Sequence, residues 1–324
     1  MNAWQVTKHG HYNEVLEWGP RDDPKCPDGG VVIDVAAAAV NYPDLLAIAG
    51  LYQVKSKPPF VPGLEAVGKV SEAGPNSKFK VGQRVVLNST GGAFAEKMAA
   101  ADLFAFAIPD EMSDEQAAGF FVAYQTSYFA LTHRAALREG ETLLVHGGAG
   151  GVGTSAIQIG KHLGARVIAT ASSAAKLEHC TAAGADEVIN YKDEDWVERV
   201  KALTDNRGAD VIYDPVGGDV TTASTKCIAW NGRLVIIGFA SGSIPKIAAN
   251  RVLLKNIAVV GLHWGNYFLH QPELVELAHE ELLRWFESGS VKPIVSANLP
   301  MSELAQALAS IEKRTATGKV VVTC

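Results

Sequence analysis

Apolar and polar positions change rhythm twice along this chain. From residue 1 to about residue 111 the apolar runs are short and broken by turn residues. Val31-Val32-Ile33-Asp34-Val35, Ala66-Val67-Gly68-Lys69-Val70 and Gln83-Arg84-Val85-Val86-Leu87 predict strands; Gly29-Gly30, Pro58-Pro59, Pro62-Gly63 and Gly74-Pro75 predict turns. This stretch reads as a mostly β unit. From about 113 to 261 the pattern alternates. Strands of nearly continuous apolar character are predicted at 142–146, 166–170, 187–189, 210–213, 233–237 and 257–260, with helices at 154–163 and 174–183. Such strands, alternating with helices, indicate a parallel sheet covered on both faces, a doubly wound α/β domain. Helices at 273–288 and 302–313 and a strand at 319–322 follow. These last residues are too few for a core of their own and must pack on one of the other two units.

Composition narrows the function classes. The 324 residues are about right for two domains, and 48% hydrophobic against 20% charged residues is the balance of a folded protein. A net charge of -6, with no run of five Lys or Arg, argues against nucleic acid as the main partner. The longest apolar stretch, 31–40, is interrupted by Asp34 and falls well short of the roughly 18 residues of a membrane span. Residues 1–16 carry His, Lys, Asn and Glu where a secretory signal has an apolar core, so a cytoplasmic location is expected. Cys26, Cys180, Cys227 and Cys324 are far apart, which predicts neither a disulfide framework nor a zinc cluster.

The strongest local signal is Gly147-Gly148-Ala149-Gly150-Gly151-Val152-Gly153. It holds G-x-G-x-x-G at Gly148, Gly150 and Gly153, directly after one predicted strand and directly before a helix. In that context the first glycine allows a tight turn and the second lets backbone approach a pyrophosphate. The third lets helix and strand pack closely, and the helix N-terminus offers free N–H groups to an anion. Dinucleotide binding is expected. An NAD site calls for an acid about 20 residues further on, to accept from the ribose hydroxyls. Here the next strand ends in Ala169-Thr170-Ala171-Ser172-Ser173, and Lys176 follows. Small hydroxyls and a cation suit a 2′-phosphate, so NADPH is favoured. Ser172 and Ser173 could also cap the following helix, and the two roles are compatible.

Other motifs accompany the turn in a set order: Ala39-Val40-Asn41-Tyr42-Pro43-Asp44, Pro59-Phe60-Val61-Pro62-Gly63-Leu64-Glu65, Gly91-Gly92-Ala93-Phe94-Ala95-Glu96, Gly232-Arg233-Leu234-Val235 and Thr317-Gly318-Lys319-Val320-Val321. Over nearly its whole length the chain resembles the zinc-independent medium-chain dehydrogenases/reductases, in their quinone oxidoreductase (zeta-crystallin-like) branch. The resemblance implies a GroES-like β domain at 1–120, completed by 265–324, and a Rossmann NADP-binding domain at 121–264. It implies an active site in the cleft between them, and a homodimer formed by pairing the strand at 257–260 across a two-fold axis. Metal-dependent relatives carry a Cys where this chain has Asn41, a His where Leu64 precedes Glu65, and a lobe of four cysteines absent here. Zinc requires thiolate or imidazole ligands, so no metal is expected.

Carried over by position, the resemblance places Asn41 against the nicotinamide and the acceptor oxygen, unless its amide merely satisfies a loop backbone. Tyr52 matches a proton-delivering tyrosine of related enoyl reductases, or else it walls the pocket. Asp44 would hold the loop. Thr126 would meet the nicotinamide carboxamide or pack its helix, and Tyr191 would meet the 2′-phosphate or pack at an edge. Phe239, Ala240 and Ser241 would pass the nicotinamide ribose. Lys319 would touch the cofactor or stand in solvent at a strand start. The implied activity is hydride transfer from NADPH to a quinone. A second enzymatic reading is reduction of an enone or an enoyl- or acrylyl-CoA thioester, for which Lys55 and Lys57 near Tyr52 could receive phosphates. A third is a crystallin-like or RNA-binding protein with a vestigial cofactor site, against which the acidic balance weighs.

Overall fold

Backbone pairing builds three sheets, each lying within one of two compact units. One unit comprises Met1–Val122, His270–His279 and Pro293–Cys324; the other comprises Ala123–Leu269 and Glu280–Lys292. The structure is a computed structural model describing all residues, 1–324.

The first unit begins with β1 (Asn2–Val6), β2 (Leu16–Pro20), β3 (Gly30–Val40), β4 (Glu65–Ala73), β5 (Arg84–Asn88), β6 (Lys97–Ala101) and β7 (Ala105–Ala107). β1 and β2 pair with each other, while β3, β4 and β5 run antiparallel with Ala39 opposite Glu65 and Ala66 opposite Leu87. Val31, Ile33 and Val35 alternate into a core shared with Phe94, Met98 and Leu308. β1, β2, β6 and β7 are not foreseen from the apolar pattern. They are short, three of them mix polar with apolar residues and β7 is only three residues long, and only their partner strands define them. The helix Tyr42–Ile48 follows β3 with Pro43 in its first turn and Asp44 accepting the Asn41 N–H, half of a capping box.

The second unit holds β8 (Thr142–Val145), β9 (Arg166–Ala171), β10 (Glu187–Asn190), β11 (Ala209–Asp214), β12 (Ile228–Ile236) and β13 (Ala258–Gly261). All are parallel, in the order β10-β9-β8-β11-β12-β13. That is the 3-2-1-4-5-6 arrangement of a dinucleotide-binding sheet, with its order reversing between β8 and β11. Helices Gly151–His162, Ala174–Ala182, Trp196–Leu203 and Gly218–Cys227 connect the strands. The last has no apolar stripe in sequence. It is anchored instead by buried Asp214, whose carboxylate accepts from Val216 N, Gly217 N and the Thr221 hydroxyl. The helix Asp114–Tyr128 was also hidden, because buried apolar residues surround it and leave no polar face to mark a period.

The chain returns to the first unit with β14 (Val295–Pro300) and β15 (Lys319–Thr323), giving a sheet ordered β14-β15-β3-β4-β5-β7 with β6 on β3. The returning segment is not all of one unit. Glu280–Lys292, expected with the β domain, groups with the parallel-sheet unit: Gln158 exchanges two hydrogen bonds with the Lys292 backbone, and the Tyr128 hydroxyl donates to Glu281. Helical periodicity carries no trace of such long-range partners. No helix is long and apolar enough to cross a membrane.

Candidate active site

Strand register in the first unit assembles a buried polar cluster. Ala39 lies opposite Glu65, and Val320 lies opposite Val40. Asn41, Glu65 and Lys319 therefore meet, although 278 positions separate Asn41 from Lys319. Lys319 Nζ donates to Asn41 Oδ1 at 2.6 Å and to Glu65 Oε1 at 2.9 Å. Asn41 Nδ2 donates to Glu65 Oε1 at 2.9 Å and to Ala39 O at 3.3 Å, and Glu65 Oε2 accepts from Val122 N at 2.8 Å. Only one orientation of the Asn41 amide puts its oxygen against the ammonium and its nitrogen against a carboxylate and a carbonyl.

Lys319 and Glu65 side chains are 5% and 0% exposed, so their charges are compensated inside the protein. Lys319 does not stand in solvent. Glu65 appeared in the sequence only within a motif; the available signal was an acid directly before the apolar pair Ala66-Val67 at the start of its strand.

Asp44 lies beside this cluster. Its Oδ2 accepts from Asn41 N at 2.7 Å, while its buried Oδ1 has no partner. Burial pushes the carboxyl up to about 7, against the Asn41 N–H and the Lys319 charge, which pull it down. Tyr52 follows the same helix, its N–H bonded to Leu46 O at 3.1 Å. Its half-buried phenol makes no hydrogen bond within the chain. Burial, and then the Asp44 charge, hold it above the ordinary tyrosine value, so it keeps its proton at neutral pH. Lys55 and Lys57 are exposed, and Lys55 Nζ is bonded to Gly50 O.

In the second unit the glycine turn sits at the carboxyl end of β8, beside the point where strand order reverses. The left-handed backbone falls at Gly147 (φ +60°), one residue before the glycine expected to make the tight turn. Gly148 serves close packing instead: a Cβ there would lie 2.9 Å from Ala169 Cβ and from Cys180 Sγ. At Gly153 a Cβ would lie 2.2 Å from Gly147 O, whereas at Gly150 the nearest atom is an ordinary 3.5 Å away. Two glycines are thus demanded by the packing beneath the turn, whereas Gly150 is exposed and a Cβ there would make only an ordinary contact with Gly147 O. The helix Gly151–His162 has its first bond from Thr154 N to Gly150 O. The N–H groups of Gly151, Val152 and Gly153 precede that ladder and suit an anion. Ala149 is buried.

β9 ends at Ala171 with no acid after it. Ser173 takes the N-cap position of the helix Ala174–Ala182 without making a side-chain capping bond, and Lys176 lies in the first turn. Tyr191 N donates to Ala171 O at 3.2 Å, which sets this exposed tyrosine beside the same strand end. Ala240 N and Ser241 N donate to Pro215 O and Val216 O at 3.0 and 2.8 Å, lacing Phe239–Ser241 to the loop after β11. Thr126 is half-buried, and its neighbour Ser127 bonds Val152 O at 3.0 Å. One set of expected residues thus gathers on the parallel sheet, at or beside its strand ends and turn, while Asn41, Tyr52 and Lys319 belong to the β unit.

Family models agree with this division: an alcohol dehydrogenase GroES-like domain matches residues 27–110, and a model described as a zinc-binding dehydrogenase matches 151–281. A quinone oxidoreductase-like protein 2 homolog from Nematostella vectensis is 39% identical over 90% of this chain and 81% of its own length. Human quinone oxidoreductase is 30% identical over 99% of this chain and 97% of its own. The Escherichia coli quinone oxidoreductase, solved in complex with NADPH, superimposes with a TM-score of 0.93 at 30% identity, covering 100% of both chains. The chain belongs to the quinone oxidoreductase family of the medium-chain dehydrogenases/reductases, and is thereby an oxidoreductase.

Proposed function

We propose that this chain reduces a quinone with hydride from NADPH and without a metal ion. The observation that carries the reading is the end of β9, where Ser172 and Ser173 stand in place of an acid and the Ser173 hydroxyl is not spent on capping. The N–H groups of Gly151 to Gly153 and the exposed Gly150 would receive the pyrophosphate. Ser172, Ser173, Lys176 and Tyr191 would hold the 2′-phosphate, and Thr126 and Phe239–Ser241 would flank the nicotinamide end. When bound, NADPH supplies the hydride. The Escherichia coli relative, crystallised with NADPH, supports the assignment.

Metal independence rests on donor chemistry. At positions 41 and 65 the side chains are an amide and a carboxylate already engaged by the Lys319 ammonium, and Leu64 offers no ligand. No group of three or more His, Cys, Asp or Glu side chains is arranged to hold a metal ion. An acceptor reduced without a Lewis acid must take hydride readily, as a quinone does. The unpartnered hydroxyl of Tyr52 favours a second reading, reduction of an enone or enoyl thioester, whose product needs a proton.

The test is NADPH oxidation with quinones, enones and enoyl-CoA thioesters under one set of conditions, before and after extended chelation. Fastest turnover with a quinone, unaffected by chelation, is expected. Zinc near one per chain, or turnover only with thioesters, would overturn the reading. NADPH should bind at least about tenfold tighter than NADH, and Lys176→Ala should weaken NADPH alone.

A further inference from the structure

Beneath the glycine turn lies a histidine that the reaction above does not use. His146 directly follows β8 and is buried, its ring edge-on to Trp196 at 4.7 Å between centroids. Nε2 lies 2.9 Å from Ser224 Oγ, and Nδ1 lies 3.1 Å from Thr170 Oγ1. Burial pushes the imidazole down to about 4, against the nearby Asp214 charge, so the ring is neutral at pH 7.

The direction of these bonds can be deduced. A neutral imidazole has one donor and one acceptor. Ser224 Oγ gives its only proton to Val220 O, 2.8 Å away in the same helix, and must accept from Nε2–H. Nδ1 is then the acceptor, and the Thr170 hydroxyl donates to it. The carbonyl of the same Thr170 accepts the Gly148 N–H at 3.0 Å. A one-way chain of hydrogen bonds therefore links the glycine turn, the end of β9 and the helix Gly218–Cys227, the elements that flank the strand-order reversal.

We propose that His146, as its Nε2–H tautomer, is a positioning residue for nucleotide binding. Through Thr170 it sets the glycine turn against the strand end that carries Ser172 and Ser173. This rests on the dinucleotide reading of the turn. A histidine that merely filled the core would support stability and leave affinity alone.

Dinucleotide titration by fluorescence, with melting temperatures alongside, separates the two roles. Thr170→Val is nearly isosteric and removes only the donor to Nδ1. His146→Asn places an amide oxygen near the Nδ1 position and keeps the Thr170 bond. His146→Gln reaches the Nε2 position and loses that bond. Thr170→Val and His146→Gln should weaken NADPH and NADH alike by roughly tenfold, because the turn serves both, and His146→Asn should retain most of the affinity. Nitrogen NMR of the unaltered protein should show Nε2 protonated and Nδ1 bare. The inference alone is overturned if the unaltered protein and all three variants bind equally, if Asn and Gln weaken binding equally, or if Nδ1 carries the proton. Absence of dinucleotide binding by the unaltered protein would overturn the dinucleotide reading itself, and this inference with it.

Discussion

Replacing Lys319 by Met tests whether the buried cluster is held by charge compensation. Methionine keeps most of the apolar stem and removes the ammonium. Left behind are a fully buried Glu65 carboxylate, with only Asn41 Nδ2 and Val122 N as donors, and an Asn41 Oδ1 without its partner. Removing one member of a buried ion pair costs about 3–5 kcal/mol, because the other charge stays desolvated. For a domain of this size each kcal/mol lowers Tm by about 2–4 °C, so a fall of about 10 °C is expected. The double variant Glu65→Gln with Lys319→Met removes both charges and keeps an oxygen that can accept from Val122 N. It should recover more than half of the loss, since replacing a buried pair by neutral groups is often nearly neutral. Calorimetry and urea titration at pH 7 on the two variants and the unaltered protein make the comparison. A Lys319→Met protein melting within about 2 °C of the original, well under the change expected from the pair, would refute the reasoning. So would a double variant no more stable than the single.

Tyr52→Phe keeps the ring and breaks no intrachain hydrogen bond, so Tm should hold. It should lower kcat about 10²- to 10⁴-fold with an enone, the range of general acid catalysis, and little with a quinone; equal losses on both acceptors would remove its role as proton donor. Asp44 predicts a pH dependence of stability. Its carboxyl is raised from 3.8 to about 7 on folding, so the folded state binds more protons in that window and stability falls as pH rises through it. Asp44→Asn removes that falling contribution, so the urea-measured stability of the unaltered protein minus that of the variant should fall as pH rises from 5 to 8; a difference independent of pH would show that Asp44 does not titrate there. β13 is one of the two edge strands of the parallel sheet and carries Val259 and Val260, with no Lys or Pro to blunt its edge. A homodimer by light scattering is expected, and Val259→Pro, which removes an N–H facing the open edge and leaves the bonds to β12 in place, should dissociate it; a strictly monomeric original at micromolar concentration would contradict the pairing.

The sequence by itself determined what depends on neighbours along the chain. The β-rich and parallel-sheet units, the strand-turn-helix setting of Gly148, Gly150 and Gly153, and the lack of an acid after β9 all follow from local spacing, because one strand or one turn is enough to express them. Helices without an amphipathic stripe, Asp114–Tyr128 and Gly218–Cys227, escaped for the same reason. Only the tertiary structure decided which polar groups are buried together. Lys319 reads as a lysine at a strand start until β15 pairs with β3 and carries its ammonium to Asn41 and Glu65. His146 reads as the end of an apolar run until β8 and β9 lie side by side and the helix Gly218–Cys227 brings Ser224 to its ring. In both cases the deciding bonds join residues far apart in sequence, and desolvation makes them strong only once the strands have closed around them.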